Sequence, residues 1–191
     1  MVPDWEERYR SRSVADAEAA AVLQDNVHLL PTRGRALDVA CGLGGNALLL
    51  ARQGLDTYAW DAAATAIEQL AERARAEVLP LTAEVRDVVA APPEPESFDV
   101  VTVSRFLERA LAPALAAALR PGGVLFYQAF TRTRVGDRGP RSERFRLGDN
   151  ELLSLFADLR ILFYREEGRV GYLDRGLRDE AQLVALRPAS D

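Results

Sequence analysis

The stretch Leu37-Asp38-Val39-Ala40-Cys41-Gly42-Leu43-Gly44-Gly45-Asn46-Ala47-Leu48-Leu49-Leu50-Ala51 constrains the fold more than any other part of the chain. A short apolar run stops at three closely spaced glycines and resumes with helical spacing, so a buried strand turns into a helix within a few residues. The same alternation continues downstream. Strands are expected at Ala36 to Ala40, Asp56 to Trp60, Ala83 to Val85, Phe98 to Val103 and Val124 to Phe130, short and apolar as buried parallel strands are. Helical patterns fall at Ala15 to Leu30, Ala47 to Gln53, Thr65 to Ala76 and Ala114 to Arg120, the last stopped by Pro121-Gly122-Gly123. Strands alternating with helices imply an α/β fold, a mostly parallel sheet covered on both faces.

Past Phe130 the pattern changes. Residues 131–150 are polar and rich in Gly and Arg, too long for a simple connection, and are expected to form a loop over the substrate side. A short helix, Glu151 to Ala157, and two more strands, Leu159 to Tyr164 and Gln182 to Leu186, should follow as a hairpin-like antiparallel addition. With 191 residues and 48% hydrophobic composition, one domain spanning 1–191 is expected, residues 1–30 forming an N-terminal lid or helix. The net charge of −5 lacks the basic excess that a phosphate backbone demands, so nucleic acid is not the expected partner. One cysteine, Cys41, leaves no internal disulfide and no cysteine-cluster metal site. No apolar run approaches a membrane span of about 20 residues, and the first residues carry charge where a signal peptide needs its apolar core. A cytoplasmic monomer or homodimer is expected, with no metal.

Gly42 to Ala47 fits a loose G-x-G-x-x-G/A pattern, which raises a dinucleotide site first. Asp38 argues against it. A carboxylate beside the turn repels a pyrophosphate and attracts a cation. S-adenosylmethionine has no phosphate and carries both an ammonium and a sulfonium. A second acid, Asp61, ends the next strand, where a carboxylate can accept both ribose hydroxyls or cap the following helix. A third, Asp87, follows the third strand and can accept from an adenine amino group.

Leu37-Asp38-Val39-Ala40-Cys41-Gly42-Leu43-Gly44, then Asp61, Asp87, Ser97-Phe98-Asp99-Val100-Val101 and Leu119-Arg120-Pro121-Gly122-Gly123, resemble the ordered motifs of class I S-adenosylmethionine-dependent methyltransferases. Trp5-Glu6-Glu7-Arg8-Tyr9, Cys-Gly-x-Gly-x-Asn through Asn46, Phe145-Arg146-Leu147 and Glu151-Leu152-Leu153 resemble the tellurite-resistance (TehB-like) branch, related to thiopurine S-methyltransferases. The resemblance implies a Rossmann-like, seven-stranded sheet whose last strand is antiparallel. It implies a cofactor site of Asp38, Ala40, Cys41, Gly42, Gly44, Asn46, Asp61, Ala62, Asp87, Val88 and Ser104. The chain departs from the branch, which usually has Gly at Ala40 and Arg at Gly45.

The acceptor should meet residues after strand four and in the N-terminal piece: Arg105, Phe106, Arg109 and Tyr9, the last paired with Trp5 four residues earlier on a short helix. Loop arginines 132, 134, 138, 141, 144 and 146 offer forks for an anionic acceptor, against a solvated loop. His28 and Cys41 read as packing residues. No metal or covalent residue is required, because a sulfonium donor carries its own chemistry and the protein positions the partners, and the sequence singles out no catalytic residue. The acceptor is expected to be small, such as a thiol or a chalcogen oxyanion like tellurite. Two alternatives stand beside this: an NAD(P)-dependent oxidoreductase, and a catalytically silent module that binds S-adenosylmethionine.

Overall fold

The computed structural model describes residues 5–189. Seven strands form one sheet in the order β3-β2-β1-β4-β5-β7-β6. They are β1 (Arg35–Val39), β2 (Asp56–Asp61), β3 (Leu81–Val85), β4 (Phe98–Ser104), β5 (Leu119–Phe130), β6 (Arg160–Arg165) and β7 (Glu180–Leu186). The first five are parallel, and β7 runs antiparallel between β5 and β6. The α/β class and the antiparallel last strand are as expected. The hairpin extends the sheet beyond β5 as expected, with β7 beside β5 and β6 outermost.

Period-two alternation in the central strands divides the core between two faces. Leu37, Val39, Val101, Val103, Leu125 and Tyr127 pack with Leu115 of α5 (Ala112–Ala118) and Leu152 of α6 (Glu151–Leu155). Ala36, Val100, Val124 and Phe126 pack on the other face with Val22 and Leu23 of α2 (Ala21–Gln24) and Leu50 of α3 (Gly45–Arg52). Asp38 and Thr102 fall on this second face near the carboxyl ends of β1 and β4, and Gln128 of β5 and Gln182 of β7 are buried there too. The helix α4 (Ala64–Ala76) covers β2 and β3, and α1 (Trp5–Arg10) lies against α4.

Two expected helices differ. Ala15 to Leu30 is broken into a 3₁₀ turn at Val14–Asp16, an extended piece, the four-residue α2 and a second 3₁₀ turn at Val27–Leu29. The cause is tertiary. The Ala20 N–H donates to Asn46 Oδ1 (2.8 Å) and the Val22 N–H to Gln128 Oε1 (2.9 Å), partners that a continuous helix would not need. The helix expected to reach Arg120 stops at Ala118, because Leu119 pairs with Phe98 at the start of β5.

Candidate functional site

The glycine turn joins β1 to α3 at the carboxyl end of the sheet, and two acids flank it. Asp38 is fully buried. Its Oδ1 accepts from Thr102 Oγ1 (2.9 Å) and Asn46 Nδ2 (3.2 Å), and its Oδ2 from the Ala47 N–H (3.1 Å). Burial pushes its carboxyl up to about 6, against the pull of those three donors. Asp61 ends β2 and grips the turn itself, accepting from the Gly42 N–H (2.8 Å) and the Ala63 N–H (2.9 Å). Desolvation raises it as well. Among the described residues neither acid has a basic side chain within ion-pair distance. Two desolvated carboxylates without a cation are costly, and a positively charged ligand would offset that cost.

Asn46 ties the turn to its surroundings. Its Nδ2 donates to Asp38 and to Ser104 Oγ (3.0 Å), and its Oδ1 accepts from Ala20, so β1, β4 and the N-terminal segment meet at one amide. The N-terminal segment crosses the first turn of α3 so closely that a Cβ on Gly45 would lie 2.2 Å from Glu18 O. That crossing explains why arginine, usual in the related branch, has no room here. Ala40 holds a left-handed φ of 52°, the conformation in which glycine is usual. Cys41 is half-buried, and burial followed by the charges of Asp38 and Asp61 pushes its thiol well up, which fits packing and not nucleophilic attack.

Tyr9 stands over the turn, where a Cβ on Gly42 would meet its hydroxyl at 2.6 Å. Its helix is anchored by Glu6, which accepts from the Ala64 N–H (2.5 Å), the Thr65 N–H (3.3 Å) and Thr65 Oγ1 (2.6 Å) at the start of α4. Glu6 thus supplies the N-terminal cap of α4, and the Thr65 hydroxyl chiefly holds its carboxyl below the usual range. Nothing is described of the Trp5 side chain, so its expected pairing with Tyr9 lies outside the described residues. Ala62 and Asp87 are exposed, Val88 is buried, and Asp87 Oδ1 accepts from Val89 (2.9 Å) and Ala90 (3.3 Å).

The acceptor-side candidates separate. Arg109 is a strut: its guanidinium binds Glu151 through Nε (2.5 Å) and Nη2 (2.9 Å), and the carbonyls of Arg144 (2.6 Å) and Arg146 (2.9 Å). Arg146 is buried and donates to the carbonyls of Thr131 and Pro140 (2.7 Å each) and of Arg138, over the Phe130 ring. The 131–150 loop is therefore organised around one of its own arginines. Phe106 is partly buried against the core, and its carbonyl accepts from Tyr127 (2.9 Å). Arg105 lies just past β4 with a left-handed φ of 56°, its side chain half-exposed. Glu180 and Gln128, buried at the adjoining ends of β7 and β5, were not read from the sequence as site residues. The signal was there: Glu180 and Gln182 alternate on one face of an otherwise apolar strand, as polar residues beside a buried site would.

Comparison with known proteins agrees with this geometry. Residues 36–123 match the methyltransferase domain family. Over 140 residues the chain is 33% identical to Hemagglutinin 1 of Eikenella corrodens, covering 69% of this chain and 46% of that protein. The chain thus spans about half the length of that curated relative. Among solved structures, TehB from Haemophilus influenzae superposes with a TM-score of 0.73 at 22% identity, covering 96% of this chain and 67% of that one. A SAM-dependent methyltransferase from Aquifex aeolicus superposes at 0.71 with 14% identity, covering 97% and 99%. At these identities the structures establish a shared fold.

Proposed function

We propose that this chain, a class I methyltransferase of TehB-like type by its domain match and fold, transfers a methyl group from S-adenosylmethionine to a small acceptor at the carboxyl ends of β1, β4 and β5. The observation that carries the proposal is the pair of buried acids, Asp38 and Asp61, on either side of a glycine turn with no basic partner among the described residues. A cationic donor without phosphate fits that setting, whereas a dinucleotide would bring its pyrophosphate against Asp38.

When bound, S-adenosylmethionine supplies a methyl on a positively charged sulfur, which leaves to an acceptor lone pair while the bonding pair stays on sulfur. The protein's part is placement, worth effective molarities on the order of 10⁵ to 10⁸ M when two reactants are held in line. Asp61 is held at the turn by two backbone donors, ready to accept ribose hydroxyls. Asp38 fixes the start of α3 through Ala47 and fixes Asn46, so it orients the turn and adds negative potential beneath it. Asn46 and Ser104 set the spacing between the turn and the end of β4. Tyr9 covers the turn and limits water there.

A thermal-shift screen tests the reading, because a ligand preferring the native state raises stability by mass action. S-adenosylmethionine and S-adenosylhomocysteine are expected to raise the midpoint, and NAD and ATP to leave it unchanged. A larger shift with NAD would reject the assignment.

A further inference from the structure

At the acceptor end most arginines with a defined geometry turn inward. Arg109 and Arg146 bind carbonyls of the 131–150 loop, and Arg178 binds the carbonyls of Gly168, Val170, Tyr172 and Arg175 in the β6–β7 connection. Arg105 does the opposite. Its backbone N–H is tied to Gln128 O (2.7 Å), its Nε lies 3.4 Å from Glu180 Oε1, and neither Nη has a hydrogen-bond partner among the described residues. The side chain is 54% exposed, whereas Glu180 is 4% exposed.

The support beneath it is fixed atom by atom. Glu180 Oε2 accepts from Gln128 Nε2 (2.5 Å), and Gln128 Oε1 accepts from Gln182 Nε2 (3.0 Å) and from the Val22 N–H (2.9 Å). With both donors on its oxygen, the Gln128 amide presents only its nitrogen to Glu180, so the carboxylate has one oxygen left for Arg105. A buried carboxylate held this way, next to a non-glycine residue kept in a left-handed conformation at a strand end, is costly to the fold. It is the arrangement expected of an anchored guanidinium that offers its two outer nitrogens as a fork to an oxyanion.

We propose that Arg105 is the acceptor-binding residue, that Glu180 and Gln128 are its positioning residues, and that the acceptor is therefore an anion carrying a carboxylate or a comparable oxyanion. This rests on the methyl-transfer reading for the location of the acceptor, but its test does not. Ser104, the preceding residue, bonds to Asn46 beside the glycine turn, which places Arg105 at the border between the proposed donor and acceptor halves of the crevice.

The experiment compares a matched pair of aromatic thiols, 4-mercaptobenzoate and 4-mercaptobenzamide, binding to the full chain by calorimetry, with and without S-adenosylhomocysteine. The wild type should bind the benzoate at least tenfold more tightly. Arg105→Gln should abolish that preference, Arg105→Lys should keep part of it because charge remains without the fork, and Glu180→Gln should reduce it severalfold. The affinity for S-adenosylhomocysteine should stay within twofold in all three variants. Equal binding of the two thiols by the wild type, or a preference that survives Arg105→Gln, overturns the proposal. So does a tenfold loss of S-adenosylhomocysteine binding in Arg105→Gln, which would assign the fork to the donor's own carboxylate. If S-adenosylhomocysteine does not bind the wild type at all, the cofactor reading fails, and the thiol pair alone still decides the role of Arg105.

Discussion

The glycine-turn half of the crevice and the loop half beyond β5 handle charge in opposite ways. Around the turn, Asp38 and Asp61 are buried with hydrogen-bond donors and, among the described residues, no cation. Beyond β5, Arg109, Arg146 and Arg178 have their donors engaged by carbonyls and carboxylates of the loops they organise. The first half leaves its charges to hydrogen-bond donors alone, and the second turns its charges to its own shape. An arginine-rich loop is thus no evidence of an anion site by itself. What matters is whether the guanidinium finds its partners within the chain.

The largest expected effect would break the loop half. Arg146→Met keeps the apolar stem and leaves three carbonyls without their donor, so stability should fall by on the order of 3 kcal/mol. Trypsin should then cut the 131–150 loop rapidly while S-adenosylhomocysteine affinity changes little. A large loss of affinity instead would mean that the two halves act as one unit.

Next in size, Asp61→Ala attacks the other half. A hydrogen bond to a charged group is worth roughly 1.5–3 kcal/mol, so calorimetry should show S-adenosylhomocysteine binding about fiftyfold weaker. A change below threefold would remove Asp61 from the site.

A pH series sharpens the contrast further. The folded-state pKa of Asp38, about 6, lies above its ordinary value of 3.8, so the folded protein binds the extra proton. Its contribution to stability therefore falls as pH rises from about 4 to 6, and the full penalty is present at pH 7. Between pH 7 and pH 5 the wild type should gain about 1 kcal/mol from this group, and Asp38→Asn should lack that gain. Urea melts at both values measure it, and identical pH dependence in wild type and variant would show that the buried acid titrates normally. The smallest effect is expected from Ala40→Gly. Relief of a left-handed alanine, offset by the greater freedom of glycine in the unfolded chain, should stabilise by about 0.5–1 kcal/mol. Destabilisation would mean that the Ala40 methyl has a packing role.

The cofactor half was the more legible because its signals are local. An acid, a glycine turn and a helix lie within fifteen residues of one another, and Asp61 follows at the end of the next apolar run. The N-terminal segment was misread as one helix because its deciding bonds reach Asn46 and Gln128, 26 and 106 residues away. Arg105 and Arg109, four residues apart, looked equivalent. The fold brings Glu151 and the loop carbonyls to the Arg109 guanidinium and, among the described residues, only Glu180 to that of Arg105.

Hydrophobic periodicity and the glycine spacing, by themselves, determined that this chain builds an α/β sheet with an acid-flanked turn at its carboxyl edge, since strand, turn and helix are specified by neighbours in the chain. Only the tertiary structure decided which arginine has its donors engaged and which does not, where the N-terminal segment crosses, and that Glu180 lies buried beneath Arg105. Those outcomes depend on which distant donors and acceptors burial brings together, and a buried polar group takes whatever partner the packing supplies.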